Sequence, residues 1–126
     1  MPSTLYGAAA EFLRERYKGE LTEDENSVTV GTAVSTVISG DADRLGLLIL
    51  NLSINEIYVS IDNSVSATNG IRLGANGGSI ALNVTDDGMI QTRTWYGLAT
   101  GAGSACYVLE LSRFIADRQI PIAGDS

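Results

Sequence analysis

Apolar and polar positions alternate in short phases along most of this chain, and only its first residues depart from that rhythm. The clearest passage runs from Arg44 to Asp62, RLGLLILNLSINEIYVSID. Residues 45–52 form a nearly unbroken apolar run, interrupted by Gly46 and Asn51. Such a run suits a strand covered on both faces or one crossing between two sheets. After residues 51–55 strict alternation takes over, with Ile57, Val59 and Ile61 on one side and Tyr58, Ser60 and Asp62 on the other. Two strands joined by a short polar turn predict a hairpin.

The start of the chain has a different period. Leu5, Ala8, Ala9, Phe12, Leu13 and Tyr17 recur at spacings of three and four, which predicts an amphipathic helix over residues 1–18. Ser3 or Thr4 can cap its start, and Gly19 stands where a left-handed residue ends a helix. A helix this short is marginal alone in water, so its stripe needs cover from its own sheet or from a neighbouring subunit. Residues 1–19 are therefore expected to form an N-terminal helical arm. Residues 20–27, ELTEDENS, hold four acids and no base, and fit no spaced calcium loop; they predict a solvated acidic linker.

From Val28 onward the signals are those of strands. Residues 28–38 are rich in β-branched side chains, and 39–43 form a turn. Asn69-Gly70 closes a polar loop, Ile71 and Leu73 make a short strand, and residues 74–78 turn again. Ile80, Leu82 and Val84 alternate inward, residues 85–88 turn, residues 93–100 form a strand holding Trp95, and 101–104 turn. Residues 105–111 predict a strand with Tyr107, Leu109 and Leu111 on one face. Residues 114–122 form a last strand or run out as a tail. The apolar phases place Leu47, Ile49, Ile57, Val59, Leu82 and Leu109 in the core. About eight short strands with turn signals every ~8–12 residues predict an all-β fold, an antiparallel β-sandwich of jelly-roll type, over residues 28–120 with a tail at 121–126. Parallel crossovers are not provided for, and no internal repeat stands out.

Composition narrows the function. With 126 residues, 44% apolar and 18% charged, the chain suits one globular domain. A net charge of −7 with scattered basic residues argues against nucleic acid as a partner. No apolar run approaches the ~20 residues that span a bilayer, so no membrane partner is expected. The N-terminus lacks the basic-then-apolar form of a secretory signal, so the bare chain is expected to be soluble and to need no oxidising compartment. Cys106 is the single cysteine, and its apolar neighbours suggest a buried thiol.

Catalysis lacks an inventory. There is no histidine, so no Ser-His-Asp or Cys-His arrangement and no imidazole zinc ligand are available. Asp41/Asp43 and Asp86/Asp87 sit in turns where solvated acids are ordinary. A glycine-rich turn at 74–78 lacks the Lys-Ser/Thr ending of a phosphate loop. No ligand cluster has suitable spacing, so neither metal nor cofactor is expected, and the chain does not predict an enzyme. Asn51-Leu-Ser53 and Asn83-Val-Thr85 match the glycosylation pattern but read better as turn and strand-end residues. Trp95 and Tyr96 would form a sugar-stacking platform if exposed, although a lone Trp in a strand is more often core.

One pattern goes beyond punctuation. Residues 44–53, RLGLLILNLS, precede Ile57-Tyr-Val59, Thr68-Asn-Gly-Ile-Arg-Leu73, Gly77-Gly-Ser-Ile80, Tyr96-Gly-Leu-Ala-Thr100 and Tyr107-Val-Leu-Glu110. Together they resemble a pattern common in small tailed-bacteriophage virion proteins, among them capsid decoration (cement) proteins and minor head or tail components. The resemblance covers residues 44–110 and leaves out the N-terminal helix. It implies synthesis in a host cytoplasm, a location on the capsid surface of the virion and a structural role, with the major capsid protein as partner and a symmetric homo-oligomer, a dimer or trimer. On that expectation the partner contacts lie in the arm, through Leu5, Phe12 and Leu13, and in the polar turns around Asn69 and Asn76. The alternatives are a head–tail junction or tail component and, from another class, a carbohydrate-binding module.

Overall fold

The computed structural model describes Glu11, residues 15–17 and residues 19–114. Its strands are β1 (Glu20–Val30), β2 (Ser35–Ile38), β3 (Arg44–Asn51), β4 (Ile57–Ser60), β5 (Ile71–Leu73), β6 (Ser79–Asn83), β7 (Trp95–Ala99) and β8 (Ser104–Phe114). A one-turn helix α1 (Val84–Asp87) and a 3-10 turn (Ile90–Thr92) separate β6 from β7. The strands form two four-stranded antiparallel sheets, ordered β1-β8-β3-β6 and β2-β7-β4-β5. First pairs with last, second with seventh, third with sixth and fourth with fifth. The chain is an all-β two-sheet sandwich, as its alternation predicts.

The apolar phases meet between the sheets. Val30, Leu47, Ile49, Cys106 and Val108 from one sheet pack against Val37, Ile57, Val59, Leu73, Trp95 and Ala99 from the other. Leu47, Ile49, Ile57 and Val59 are buried where the alternation puts them. Leu82 is partly buried against this core. Leu109 is not in it. On β8 the core-facing residues are Cys106 and Val108, so Tyr107, Leu109 and Leu111 occupy the opposite, outer face. All three of those side chains are large and apolar enough to suggest the core, and the smaller alternate set took it. The register places them beside β3: Leu109 opposite Leu48, and Tyr107 opposite Leu50.

The strands before and after residues 51–55 do not form the expected hairpin. β3 belongs to one sheet and β4 to the other, so the turn carries the chain across the sandwich. The nearly unbroken apolar run of β3 allowed that crossing, but its interior position between β8 and β6 decides it. The acidic linker is corrected too. Residues 20–27 are the first part of β1 and pair in unbroken register with β8, Glu20 opposite Phe114 and Ser27 opposite Tyr107. An edge strand mostly open to water tolerates acids that an interior strand would not. Residues 28–38, read as continuous β sequence, are divided by residues 31–34 between two sheets. Residues 85–87 belong not to a plain turn but to α1, whose start is capped by Asn83 accepting from the Asp86 amide, with Gly88 following the helix end.

Of the proposed arm, Glu11, residues 15–17 and Gly19 are described; Glu11 and residues 15–17 are helical and Gly19 lies in a bend. Leu5, Phe12 and Leu13 lie outside the described residues, as do residues 115–126. Arg113 Nη1 on β8 donates to the Tyr17 carbonyl at 3.2 Å, tying this segment to the end of sheet β1-β8-β3-β6. Among the described residues no helix is long and apolar enough to cross a membrane.

The pairing sorts the connections to two ends. Residues 31–34, 52–56, 74–78 and 100–103 gather at one end, the top. Residues 39–43, 61–70 and 84–94 gather at the other, the bottom.

Candidate interaction surface

The top is organised by one buried asparagine. Asn51 ends β3 and is fully buried. Its Nδ2 donates to the carbonyls of Asn55 at 2.7 Å, Leu73 at 2.9 Å and Gly74 at 3.1 Å. Its Oδ1 accepts from the Ser53 amide and the Ser53 hydroxyl, each at 2.8 Å. A short polar side chain that bonds two residues ahead is an Asx turn. Here the same side chain also fastens that turn to the end of β5. Further braces join the loops: Asn76 N donates to Ser53 O, Leu52 N to Ala105 O, Ala99 N to Gly31 O, and Thr100 N to Glu56 O. Asn55 Nδ2 donates to the buried Ser104 hydroxyl at 3.0 Å. A Cβ at Gly101 would stand 2.6 Å from Asn55 Nδ2, so a side chain there would push the Asn55 amide off the Ser104 hydroxyl.

This scaffold carries Leu52 and Ile54 outward on its tip, 56% and 81% exposed; Val34 is also exposed, in the loop on the far side of residues 100–103. Charge is nearly absent there. Among the four top loops only Glu56 is charged, and it is engaged by Arg72 Nη2 and the Tyr58 hydroxyl. The Arg72 bond, then the Tyr58 bond, hold the Glu56 carboxyl below its ordinary pKa, while the same bond raises that of Tyr58. The stabilisation from Glu56 is therefore present above the ordinary carboxylate range and fades as pH falls through it. The sequence signal for this tip is two apolar residues inside a polar turn, Asn51-Leu-Ser-Ile-Asn55.

A second feature lies beside the edges β1 and β2. An open polar cleft of about 600 Å³ is lined by Asp24, Asn26, Thr36, Asp41, Arg44 and Glu110. Arg44 is buried because β3 bulges between Arg44 and Gly46, an extra residue that turns both Arg44 and Leu47 toward the core. Its Nε donates to Glu110 at 2.9 Å, its Nη1 to the carbonyls of Gln91 and Arg93, and its Nη2 to the Ser39 carbonyl. Glu110 also accepts from Asn26 Nδ2 at 3.1 Å. Arg44 thus knots β2, β3, β8 and the segment before β7 together rather than offering itself to a ligand.

The acids singled out in turns have structural partners. Asp41 Oδ1 accepts the Asp43 amide, and Asp43 accepts from Arg113 at 2.9 Å. Asp87 accepts the Asn83 amide while Asn83 caps α1. Among the described residues no three metal-ligating side chains gather. Trp95 is 2% exposed and its Nε1 donates to the Ile90 carbonyl, so it presents no sugar-stacking platform. Asn69 and Asn76 are both exposed, but at opposite ends. Asn69 closes the bottom turn before β5 and bonds Ser64. Asn76, with φ of 59°, bends the top turn after β5. One flat partner does not reach both.

Cys106 faces the core beside Asn51's strand. Burial pushes its thiol up to about 11, against a smaller lowering by the Leu50 backbone. The folded state keeps its proton through the range where an unfolded thiol loses it, so stability falls as pH rises from about 9 toward 11. A water-soluble thiol reagent at pH 8 is expected to label the native chain far more slowly than the urea-unfolded chain. Equal rates would show that the strand opens readily.

No protein-family model matches the sequence, and no curated protein matches it. A solved chain from Bacillus endospore appendages, described as a novel family of disulfide-linked pili, is similar in structure at 14% identity, covering 76% of this chain and 89% of that one, with a TM-score of 0.44.

Proposed function

We propose that this chain is a structural virion subunit of the capsid decoration type, which seats on an assembled phage shell and stabilises it. The observation that carries this reading is the outer face of sheet β1-β8-β3-β6. Leu48, Leu50, Tyr107, Leu109 and Leu111 stand there in adjacent rows, where a free-standing antiparallel sheet ordinarily turns polar residues to water. Each of the five is half-buried rather than sealed, and an assembly subunit can present such a face to its neighbours. The resemblance over residues 44–110 points to a virion, and the helical arm with Leu5, Phe12 and Leu13 is the second attachment. The strand orders support reading the sandwich as a jelly roll, a hairpin of four strands against four rolled so that strand n meets strand nine minus n.

A domain this small covers about 800 Å² per partner. Useful affinity then comes from touching several subunits at once, which a shell presents and a loose subunit does not. Co-sedimentation with undecorated shells of the capsid protein made alongside it is expected to retain this chain, and dissociated capsid protein is not. Leu109→Glu, on the outer face, is expected to weaken retention without unfolding the sandwich. Equal binding to shells and subunits would refute the multivalent attachment, and binding to neither would remove the capsid assignment.

A further inference from the structure

We propose that copies of this chain associate head to tail, the top of one inserting Ile54, flanked by Leu52, into an apolar recess at the bottom of the next. This is independent of the shell-binding reading. Every large hydrophobic residue that is exposed among the described residues lies at one of the two ends. Val34, Leu52 and Ile54 are at the top; Ile71, Met89 and Ile90 are at the bottom. Scattered exposed apolar residues need no explanation, but two opposed apolar ends do.

The two ends are complementary in shape. The bottom holds a cleft of about 220 Å³ lined by Val59, Ile61, Ile71, Ile90 and Trp95, with Ser60 its one hydroxyl-bearing neighbour. Ile71 and Ile90 remain 41% and 44% exposed at its mouth. The top carries a protruding tip. β4 runs from Ile57 beside the top loops to Ser60 beside the cleft, so a chain's own tip cannot reach its own recess. Only a second molecule brings the two together.

Charge selects this orientation over its rivals. The bottom connections carry Asp41, Asp43, Asp62, Asp86 and Asp87 with Arg93 among them, whereas the top loops carry only the paired Glu56. Bottom against bottom would oppose acid to acid. Top against top would leave both recesses unfilled. Top against bottom sets an uncharged surface against the recess, the charge-poor, apolar centre that stable interfaces share. The tip is also pre-organised: the Asn51 bonds hold the turn from Asn51 to Asn55 before any partner arrives, so little ordering remains to be done on contact. Such a contact is heterologous and propagates into a stack or closes into a ring.

Sedimentation velocity of the full chain at rising concentration, up to ~1 mM where weak contacts populate, is expected to show growth beyond the monomer. Ile54→Asp and Ile90→Asp, both exposed in the folded chain, are each expected to weaken association by ~30-fold or more, the size of an interface anchor. Thermal melts of both variants check that each remains folded. The deciding measurement mixes them. Ile54→Asp keeps an intact recess and Ile90→Asp an intact tip, so the mixture forms a dimer that grows no further. A wild-type chain that stays monomeric throughout would overturn the proposal. So would loss of association in Ile54→Asp alone, which marks a top-to-top contact, or a mixture that remains monomeric.

Discussion

Asn51→Leu is expected to lower the unfolding free energy by about 2–4 kcal/mol, because leucine keeps the branching of asparagine but has neither its donor nor its acceptor, and its bulkier methyls enter a sealed site. The magnitude follows from which groups lose their partners. Gly74 O keeps the Gly78 amide, and Asn55 O keeps the Ser53 hydroxyl. The Ser53 amide loses its acceptor outright, while Leu73 O loses one donor and keeps its place opposite Ile57 in the β4–β5 ladder. Each buried group left without a partner costs roughly 1–3 kcal/mol. Asn51→Asp tests the same geometry without changing shape. It preserves the acceptor for Ser53 and turns the two donated hydrogens into a second acceptor facing carbonyls, so it is expected to be at least as damaging. Urea midpoints read both. A loss below about 0.5 kcal/mol in both variants would mean that water replaces the side chain and that the top is not sealed.

The second large effect is at Arg44. Arg44→Met is expected to cost about 3–5 kcal/mol, because it strands Glu110 and three carbonyls in a partly closed site. The double change Arg44→Met with Glu110→Met separates charge from hydrogen bonding. If the loss came from an unpaired carboxylate alone, the double variant would return close to wild type. The carbonyls of Ser39, Gln91 and Arg93 still lack a donor, so partial recovery is expected, with the remainder lost from the junction of β2, β3 and the segment before β7. Full recovery in urea titration would assign the cost to charge burial only.

Much of the sandwich was legible because alternation is a local property. Ile57 and Val59 declare their face within four residues, and the glycine-rich turns declare their places. Sheet membership is not local. Nothing between Asn51 and Asn55 distinguishes a turn that folds back in one sheet from one that crosses to the other; the buried bonds from Asn51 to Leu73 and Gly74 decide it, across 22 and 23 residues. The inward face of β8 is hidden in the sequence for a related reason. Tyr107, Leu109 and Leu111 outweigh Cys106 and Val108 in bulk, and only the pairing with β3 shows which set looks inward. Acids at 20–27 hid an edge strand, since edge strands obey solubility more than propensity. The interaction tip was visible as letters, Leu52 and Ile54, but its rigidity and its distance from the bottom recess belong to the folded chain.

The pairing of β1 with β8 has a consequence for the order in which the chain is made. Glu20 lies opposite Phe114 and Val30 opposite Ser104, so the first strand of the sandwich waits for its last. β3 also waits, since its two neighbours, β6 and β8, both come later. Ladders between residues this far apart close slowly, because a long loop must be restrained before any bond repays it. During that interval β1 is an extended segment without a partner, the kind of segment that aggregates in a crowded cell. The acids Glu23, Asp24 and Glu25 then act before the native state exists, keeping the waiting strand soluble until residue 104 and those after it emerge to complete the sheet.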